Sequence, residues 1–456
     1  MMGSGRKTLI GTFVLLGLAV AGVAIYLNPI APIATGYAAK LTCSGVFLSG
    51  RTAADVGDDL PDNPLVPFLR TAVDVSAGTV RTSLLGLWPS TAYLGDGTGC
   101  TLAESDPRLP AVPDVAVSDP DAPWPVGSRG PVADPPDVDG EGLSAAIDGA
   151  FTEDDPQGRE RNTRAVVVAH RGELVAERYA GEDGIGPDTA LLGWSMGKSV
   201  AGALVGRAVG AGLLAVDDPV GWPGWEGGGR ADITVEHLLT MTSGLAFEEI
   251  YDPGTDATRM LFTPGDTGDY AADQPLEHPP GSHWSYSSGT ANLLCDVVQG
   301  STGHGPELAH DQLFEPLGMT TAVVEADESG GLVCSSFVYA SARDWARFGQ
   351  LYLDDGVWQG ERLLPEGWVD ASTQPVEESA ALGYGYQWWL NGAPDGSLRM
   401  PDVPADAFWA SGNEGQQVVV VPSEELVVVR LGYSPAFDGV RWGLEPLLAG
   451  VIDALE

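Results

Sequence analysis

The order of local patterns along residues 141–456 restricts the fold more than any other feature of the chain. Leu143, Ala146, Ile147 and Ala150 fall at helical spacing. Ala165-Val166-Val167-Val168, a turn at Arg171-Gly172 and the run from Leu174 read as a β-hairpin between Arg164 and Ala180. Helical signals then dominate. Val200, Leu204, Val205 and Ala208 form an apolar stripe after Ser195, and Thr234 is placed to cap a helix running through His237-Leu238-Leu239. Ser341-Ala342-Arg343-Asp344 is a capping-box pattern ahead of Phe348 and Leu351, in which Arg343 and Asp344 are expected to serve capping and surface pairing. Two β-rich runs, Gln416 to Pro422 and Glu425 to Leu431, precede a final helix from Leu444. Strands at both ends, helices between them and no βαβ alternation predict an α+β fold: an antiparallel β-sheet flanked by helices, with an inserted, mostly helical subdomain.

Upstream the pattern changes. Residues 29–140 repeat Pro and Asp, as in Asp119, Pro120, Asp121 and Pro123, which predicts an irregular extension rather than a compact domain. Short apolar runs between Val46 and Leu87 are expected to pack part of it on the body. In residues 1–28, Arg6 and Lys7 precede an uncharged apolar run from Leu9 to Leu27. Its length is near the roughly 20 residues of a membrane-spanning helix and exceeds the about 7–15 of a cleavable signal core. This favours an uncleaved anchor with the body outside the cytoplasm; cleavage near Ala38-Ala39, giving a secreted protein, is the alternative. Export permits disulfides. Of the possible pairings among Cys43, Cys100, Cys295 and Cys334, Cys43 with Cys100 is preferred because both lie in the extension. Cys295 and Cys334 are then a second bridge or two buried thiols.

Charge narrows the partners. With 23 basic and 63 acidic residues the formal net charge is −40, which excludes nucleic acid and repels the body from anionic lipid. A saline habitat and an ordinary acidic, GC-biased composition account for it equally. The lysines are Lys7, Lys40 and Lys198 only. One of them completes Ser195-Met196-Gly197-Lys198, an S-x-x-K that overlaps a G-x-S-x-G at Gly193–Gly197.

Both motifs name Ser195 as nucleophile, but they imply different bases. Helical i,i+3 spacing brings Ser195 and Lys198 onto one face. A neutral lysine amine, its pKa depressed by burial and the helix start, can take the hydroxyl proton. The second motif requires a strand-to-helix elbow and a downstream histidine. The approach from Pro187 to Leu192 is not a convincing strand, so the lysine base is preferred over the triad. The bland reading, a capping serine beside a surface lysine, suits a lysine-rich chain better than this one. No Cys/His clustering suggests a metal, and the chemistry calls for no cofactor.

Trp194–Val200 and Ile233–Leu245 together resemble the serine β-lactamase and penicillin-binding-protein superfamily, most closely its class C-like branch and the group of 6-aminohexanoate-dimer hydrolase-like proteins. Pro280-Gly281-Ser-His-Trp284-Ser-Tyr286-Ser-Ser288 resembles the superfamily's Y-x-N element, and Tyr384–Trp389 with Phe408–Gln416 resembles its carboxy-terminal part. The resemblance implies a β-lactamase/transpeptidase-like fold over residues 141–456, with Tyr286 as second acid/base. Ser288 stands in the usual asparagine position, and the K-T-G-like element falls on Asn413-Glu414-Gly415. It also implies an oxyanion hole from the N–H groups of Ser195 and Gln416. Asn413 in place of Lys or His implies weaker hold on a substrate carboxylate. Tyr384, Tyr386, Trp388 and Trp389 read as strand core, with a substrate groove as the alternative. The expected activity is hydrolysis of a small amide, ester or short peptide through an acyl-enzyme. A non-catalytic sensor or peptidoglycan-binding module of the same fold, and a Ser-His-Asp esterase, are the alternatives.

Overall fold

The structure is a computed structural model describing residues 22, 25–61, 63–116, 119–133, 135–153, 160–181, 184–434 and 442–455. The body is built on a six-stranded antiparallel sheet. Strands β5 (Thr163–His170) and β6 (Glu173–Tyr179) form the first hairpin; β7 (Trp389–Leu390), β8 (Phe408–Gly412), β9 (Gln416–Val421) and β10 (Leu426–Gly432) come from the far end of the chain. Their spatial order is β7-β8-β9-β10-β5-β6, so the two ends of the body meet where β10 pairs with β5.

The valine runs of β9 and β10 are buried on both faces because helices cover both. Val418, Val420, Val427 and Val429 share a core with Trp345, Phe348 and Leu351, whereas Val419, Val421 and Val428 share another with Leu143, Ile147, Leu447 and Val451. Strand alternation thus assigns successive valines to opposite layers. Gly349 lets the helix Ala342–Leu353 lie close on the sheet: a Cβ there would fall 2.6 Å from a methyl of Val427. Between β6 and β7 the regular structure is mainly helical, as expected, and includes the helices Gly197–Gly210 and Ser288–Thr302 beside strands of two or three residues such as Val338–Ala340.

The extension departs from expectation. Residues 29–102 are not irregular: helix α1 (Ala31–Phe47) packs across a four-stranded meander of β1 (Leu69–Asp74), β2 (Thr79–Leu84), β3 (Leu87–Gly95) and β4 (Gly99–Leu102). The meander escapes a sequence reading because its strands are short and one face carries Thr, Ser and Arg. Helix α1 escapes because small residues line it on all sides, leaving no polar stripe. It is wedged between meander and body; a Cβ on Gly36 would fall 1.9 Å from the Phe262 carbonyl oxygen. Only the Pro/Asp-rich stretch after Leu102 lacks helices and strands up to Gly140 among the described residues.

Cys43 and Cys100 are bonded, tying α1 to β4, and Cys295 and Cys334 form the second bridge. Arg343 and Asp344 are buried rather than at the surface. Arg343 grips Glu177 on β6 through Nε (2.7 Å) and Nη2 (2.5 Å), and Asp344 accepts from Thr321 N (2.8 Å) and Oγ1 (2.6 Å). The reason is that the Ala342–Leu353 helix is covered by the sheet on one side and by the 120s loop on another, where Arg347 binds Pro125 and Gly127 carbonyls. Most of the Leu9–Leu27 run lies outside the described residues. Among those described, no helix is long and apolar enough to cross a membrane.

Candidate active site

Ser195 sits in a single 3-10 turn, Trp194–Met196, that leads into the helix Gly197–Gly210. The Gly193 N–H donates to Val338 O (2.8 Å), which fixes the entry to this turn. Trp194 has φ +48°, a left-handed conformation that a bulky residue adopts only when its surroundings impose it. Those surroundings are visible. The indole is fully buried among Tyr37, Tyr251 and Phe262, and its Nε1–H donates to Glu414 Oε2 at 2.8 Å. Tyr37 belongs to α1, so the extension supplies part of the packing behind the serine. Gly197, the last glycine of the G-x-S-x-G, has a packing reason: a Cβ there would lie 2.2 Å from Cys334 O.

The helix carries Lys198 to the serine as its spacing predicts. Lys198 Nζ lies 2.9 Å from Ser195 Oγ, 3.0 Å from Ser288 Oγ and 3.2 Å from Ser335 O, and the side chain is buried. Burial pushes the ammonium down to about 8, against the opposing pull of the Glu249 charge. Ser195 itself is half-buried. The Tyr286 ring stands 4.6 Å from Lys198 Nζ. Burial, with Glu249 nearby, raises its phenol well above the ordinary value, and the Ser195 side chain offsets part of that rise.

Glu249 was not legible in the sequence. It accepts from Ser288 N (2.6 Å) and from Ser288 Oγ onto Oε1 (2.6 Å), and Oε1 lies 3.8 Å from Lys198 Nζ. A glutamate in an acidic chain, on a loop with no motif, carries no signal of its own. Ser288, in the asparagine position, thus bridges lysine and carboxylate. The disulfide from Cys295, on the same helix as Ser288, reaches Cys334, the neighbour of Ser335 whose carbonyl faces Lys198.

The predicted residues of the carboxy-terminal element are placed differently from one another. Gly412 on β8, rather than Gly415, presses against the serine turn: a Cβ on Gly412 would fall 2.1 Å from Gly193 O, one on Gly415 2.2 Å from the Arg430 guanidinium. Asn413 follows Gly412 directly, half-buried. Gln416 pairs with Gly412 from the next strand, and its side-chain amide closes on the N–H and carbonyl of Gly432. Of the aromatic cluster, Trp388 is core, packed on Phe348 and Tyr352, and Tyr386 reaches away to Glu236. Tyr384 and Trp389 instead surround Tyr286, with ring centroids 5.9 and 5.2 Å away. His237, one of the histidines downstream of Ser195, is bound into the cap of its own helix at Thr234.

The Beta-lactamase family profile matches residues 150–437. The chain belongs to the beta-lactamase family. The match covers the body and stops short of the extension. Within that family the chain is 27% identical over 324 residues to the 6-aminohexanoate-dimer hydrolase of Paenarthrobacter ureafaciens, covering 65% of this chain and 80% of that protein. It is 33% identical over 207 residues to Esterase EstB of Burkholderia gladioli, covering 40% of this chain and 52% of the esterase. Among solved structures, a penicillin-binding protein homolog from Caulobacter crescentus matches with TM-score 0.54 at 19% identity, covering 72% of this chain and 99% of that one. An octameric penicillin-binding protein homologue from Pyrococcus abyssi matches with TM-score 0.51 at 19% identity, covering 68% and 76%. These structures establish the shared fold; the sequence relatives make this a beta-lactamase-related serine hydrolase.

Proposed function

We propose that the protein cleaves a small amide or ester by an acyl-enzyme mechanism in which Ser195 is the nucleophile and Lys198 its general base. The observation that carries this reading is the 2.9 Å contact between a buried Lys198 Nζ and Ser195 Oγ. The amine, brought down to about 8, has a usable neutral fraction near neutral pH and can accept the hydroxyl proton as Oγ attacks the carbonyl. Tyr286, protonated over this range, passes a proton to the leaving nitrogen or oxygen and recovers one from Lys198. Water then releases the acyl group by the reverse relay. Ser288 and Glu249 hold Lys198 in place. The contact of Gly412 with the serine turn supports placing the K-T-G-like element on Ala410-Ser411-Gly412, three residues earlier than the sequence suggested. The oxyanion donors are then the N–H groups of Ser195 and Asn413 rather than Gln416. The names of two relatives, a 6-aminohexanoate-dimer hydrolase and an esterase, support linear amides and simple esters as the substrates to try first.

A fluorophosphonate probe and a panel of ester, amide and β-lactam substrates test this. Labelling at Ser195, turnover of at least one acyl substrate and loss of both in Ser195→Ala are expected. Activity that survives Lys198→Ala but falls with a single histidine replacement would overturn the lysine base.

Glu414 adds a separate expectation. Burial raises its carboxyl to about 7, and the carboxylate steadies the strained Trp194 through the indole N–H. Glu414→Leu should lower kcat with little change in KM, while Glu414→Gln, which keeps an acceptor, retains most of it. Equal losses in the two variants would count against a positioning role.

We also propose that the body lies outside the cytoplasm, tethered by the apolar run Leu9–Leu27. The two disulfides, which persist in oxidising compartments, support that placement.

A further inference from the structure

The extension has an apolar end that the catalytic domain does not cover. At the β2–β3 turn, Leu85 and Leu87 are 59% and 60% exposed, and Phe68 beside them is 52% exposed. They form one tip, since Leu85 N donates to Phe68 O at 3.1 Å and Leu84 pairs with Leu87 across the turn. The turn is specifically shaped, with Leu85, Gly86 and Trp88 all at positive φ (52°, 83° and 45°). Monomeric soluble surfaces rarely gather large apolar side chains this way unless something covers them.

The amino-terminal end of the chain arrives at the same place. Trp88 Nε1 donates to Asn28 Oδ1 at 3.2 Å, and Ser90 Oγ lies 2.8 Å from Thr35 Oγ1 near the start of α1. Just before Asn28, the helical residues Ile25 and Tyr26 are 76% and 73% exposed. The uncharged run Leu9–Leu27 therefore enters the described structure beside the apolar tip.

Charge points the same way. In a chain with 63 acidic residues, residues 1–50 contain no Asp or Glu, and residues 63–95 contain Asp74 alone, together with Arg70 and Arg81. Asp74 ends β1 and binds the β1–β2 turn through Ser76, at the opposite end of the meander from Leu85. These two stretches, separated by the aspartates of residues 51–62, are low in acidic charge and present exposed apolar and aromatic side chains. An acidic protein needs that pattern to approach lipid head groups, and Trp and Tyr favour the membrane–water boundary.

We infer that the Leu85–Trp88 tip, with Phe68, Ile25 and Tyr26, is a face that rests in the interface of a lipid bilayer next to the amino-terminal run. The inference builds on the tethering proposed above. It adds a fixed orientation: the meander stands tip-down on the membrane as a rigid stalk and the hydrolase domain is held at one attitude above it. The Cys43–Cys100 bond and the buried pairing of Lys40 with Glu325 make that stalk rigid with the body.

The test uses full-length protein reconstituted with phosphatidylcholine vesicles. Because all native cysteines are bonded, Leu87→Cys and Val75→Cys each offer one thiol for a polarity-sensitive fluorophore. Val75 lies at the far turn of the same sheet and is 73% exposed. The label at position 87 should shift to the blue and be quenched severalfold by brominated lipid, while the label at 75 behaves as in water. Retained turnover of an acyl substrate confirms that both labelled proteins are folded. Vesicle flotation with position 87 in water would overturn the docking face and leave the tether standing. Failure to float would overturn both.

Discussion

Lys198→Ala is expected to lower kcat/KM by about 10²–10⁴-fold, the range for losing a positioned general base. Lys198→Arg discriminates between roles. A guanidinium keeps the charge and the donors toward Ser195, Ser288 and the Ser335 carbonyl, yet it does not deprotonate. If Lys198 acts as base, Arg restores nothing; if it only orients Ser195, Arg restores a measurable share. The pH dependence carries a definite sign. Burial brings the Lys198 ammonium down to about 8, so the reactive neutral amine grows as pH rises and kcat/KM should climb through that region to a plateau. The Tyr286 phenol, raised by burial, adds no descending limb in the same range. Glu249 pulls the lysine pKa upward, so Glu249→Gln should move the ascending limb to lower pH. A rate profile flat between pH 6 and roughly 9, across the interval where a lysine near 8 changes its charge, would count against the whole scheme.

Breaking the buried pair between the extension and the body should be the most destabilising single polar change. Glu325 is fully buried; it pairs with Lys40 of α1 and also accepts from Ser44 Oγ (2.7 Å) and from Cys100 N (2.6 Å). Lys40 also stands 4.1 Å over the Phe337 ring. Glu325→Gln leaves a buried lysine without its counter-charge, for which about 3–5 kcal/mol is the usual cost. In Lys40→Met/Glu325→Gln the amide still accepts from Ser44 and Cys100 and no charge is stranded, so much of the loss should be recovered. Urea unfolding of the four proteins of this cycle gives the coupling. An unchanged midpoint for Glu325→Gln would mean that the pair does not hold the extension to the body.

These two expectations draw on different kinds of information. The Ser195–Lys198 contact follows from sequence, because i,i+3 on a helix is a local geometric fact that folding only has to preserve. The same is true of the hairpin at Thr163–Tyr179, the caps at Thr234 and Ser341, and the two β-rich runs that become β9 and β10. Where local pattern was weak, the sequence was silent or misleading. The meander alternates Thr, Ser and Arg with apolar residues over strands of four to nine residues, and α1 has small residues all round.

What the sequence determined by itself is the chemistry on offer and the architecture that carries it: a serine and a lysine one helical turn apart, strands at the two ends of the body, and cysteines available for bonding. Tertiary structure alone decided which distant groups meet that pair. Glu249 reaches Ser288 across 39 positions, Trp194 reaches Glu414 across 220, and Lys40 reaches Glu325 across 285. The physical reason is that a helical turn fixes neighbours three and four residues apart, whereas contacts between distant segments depend on how whole layers pack, and no local periodicity records that.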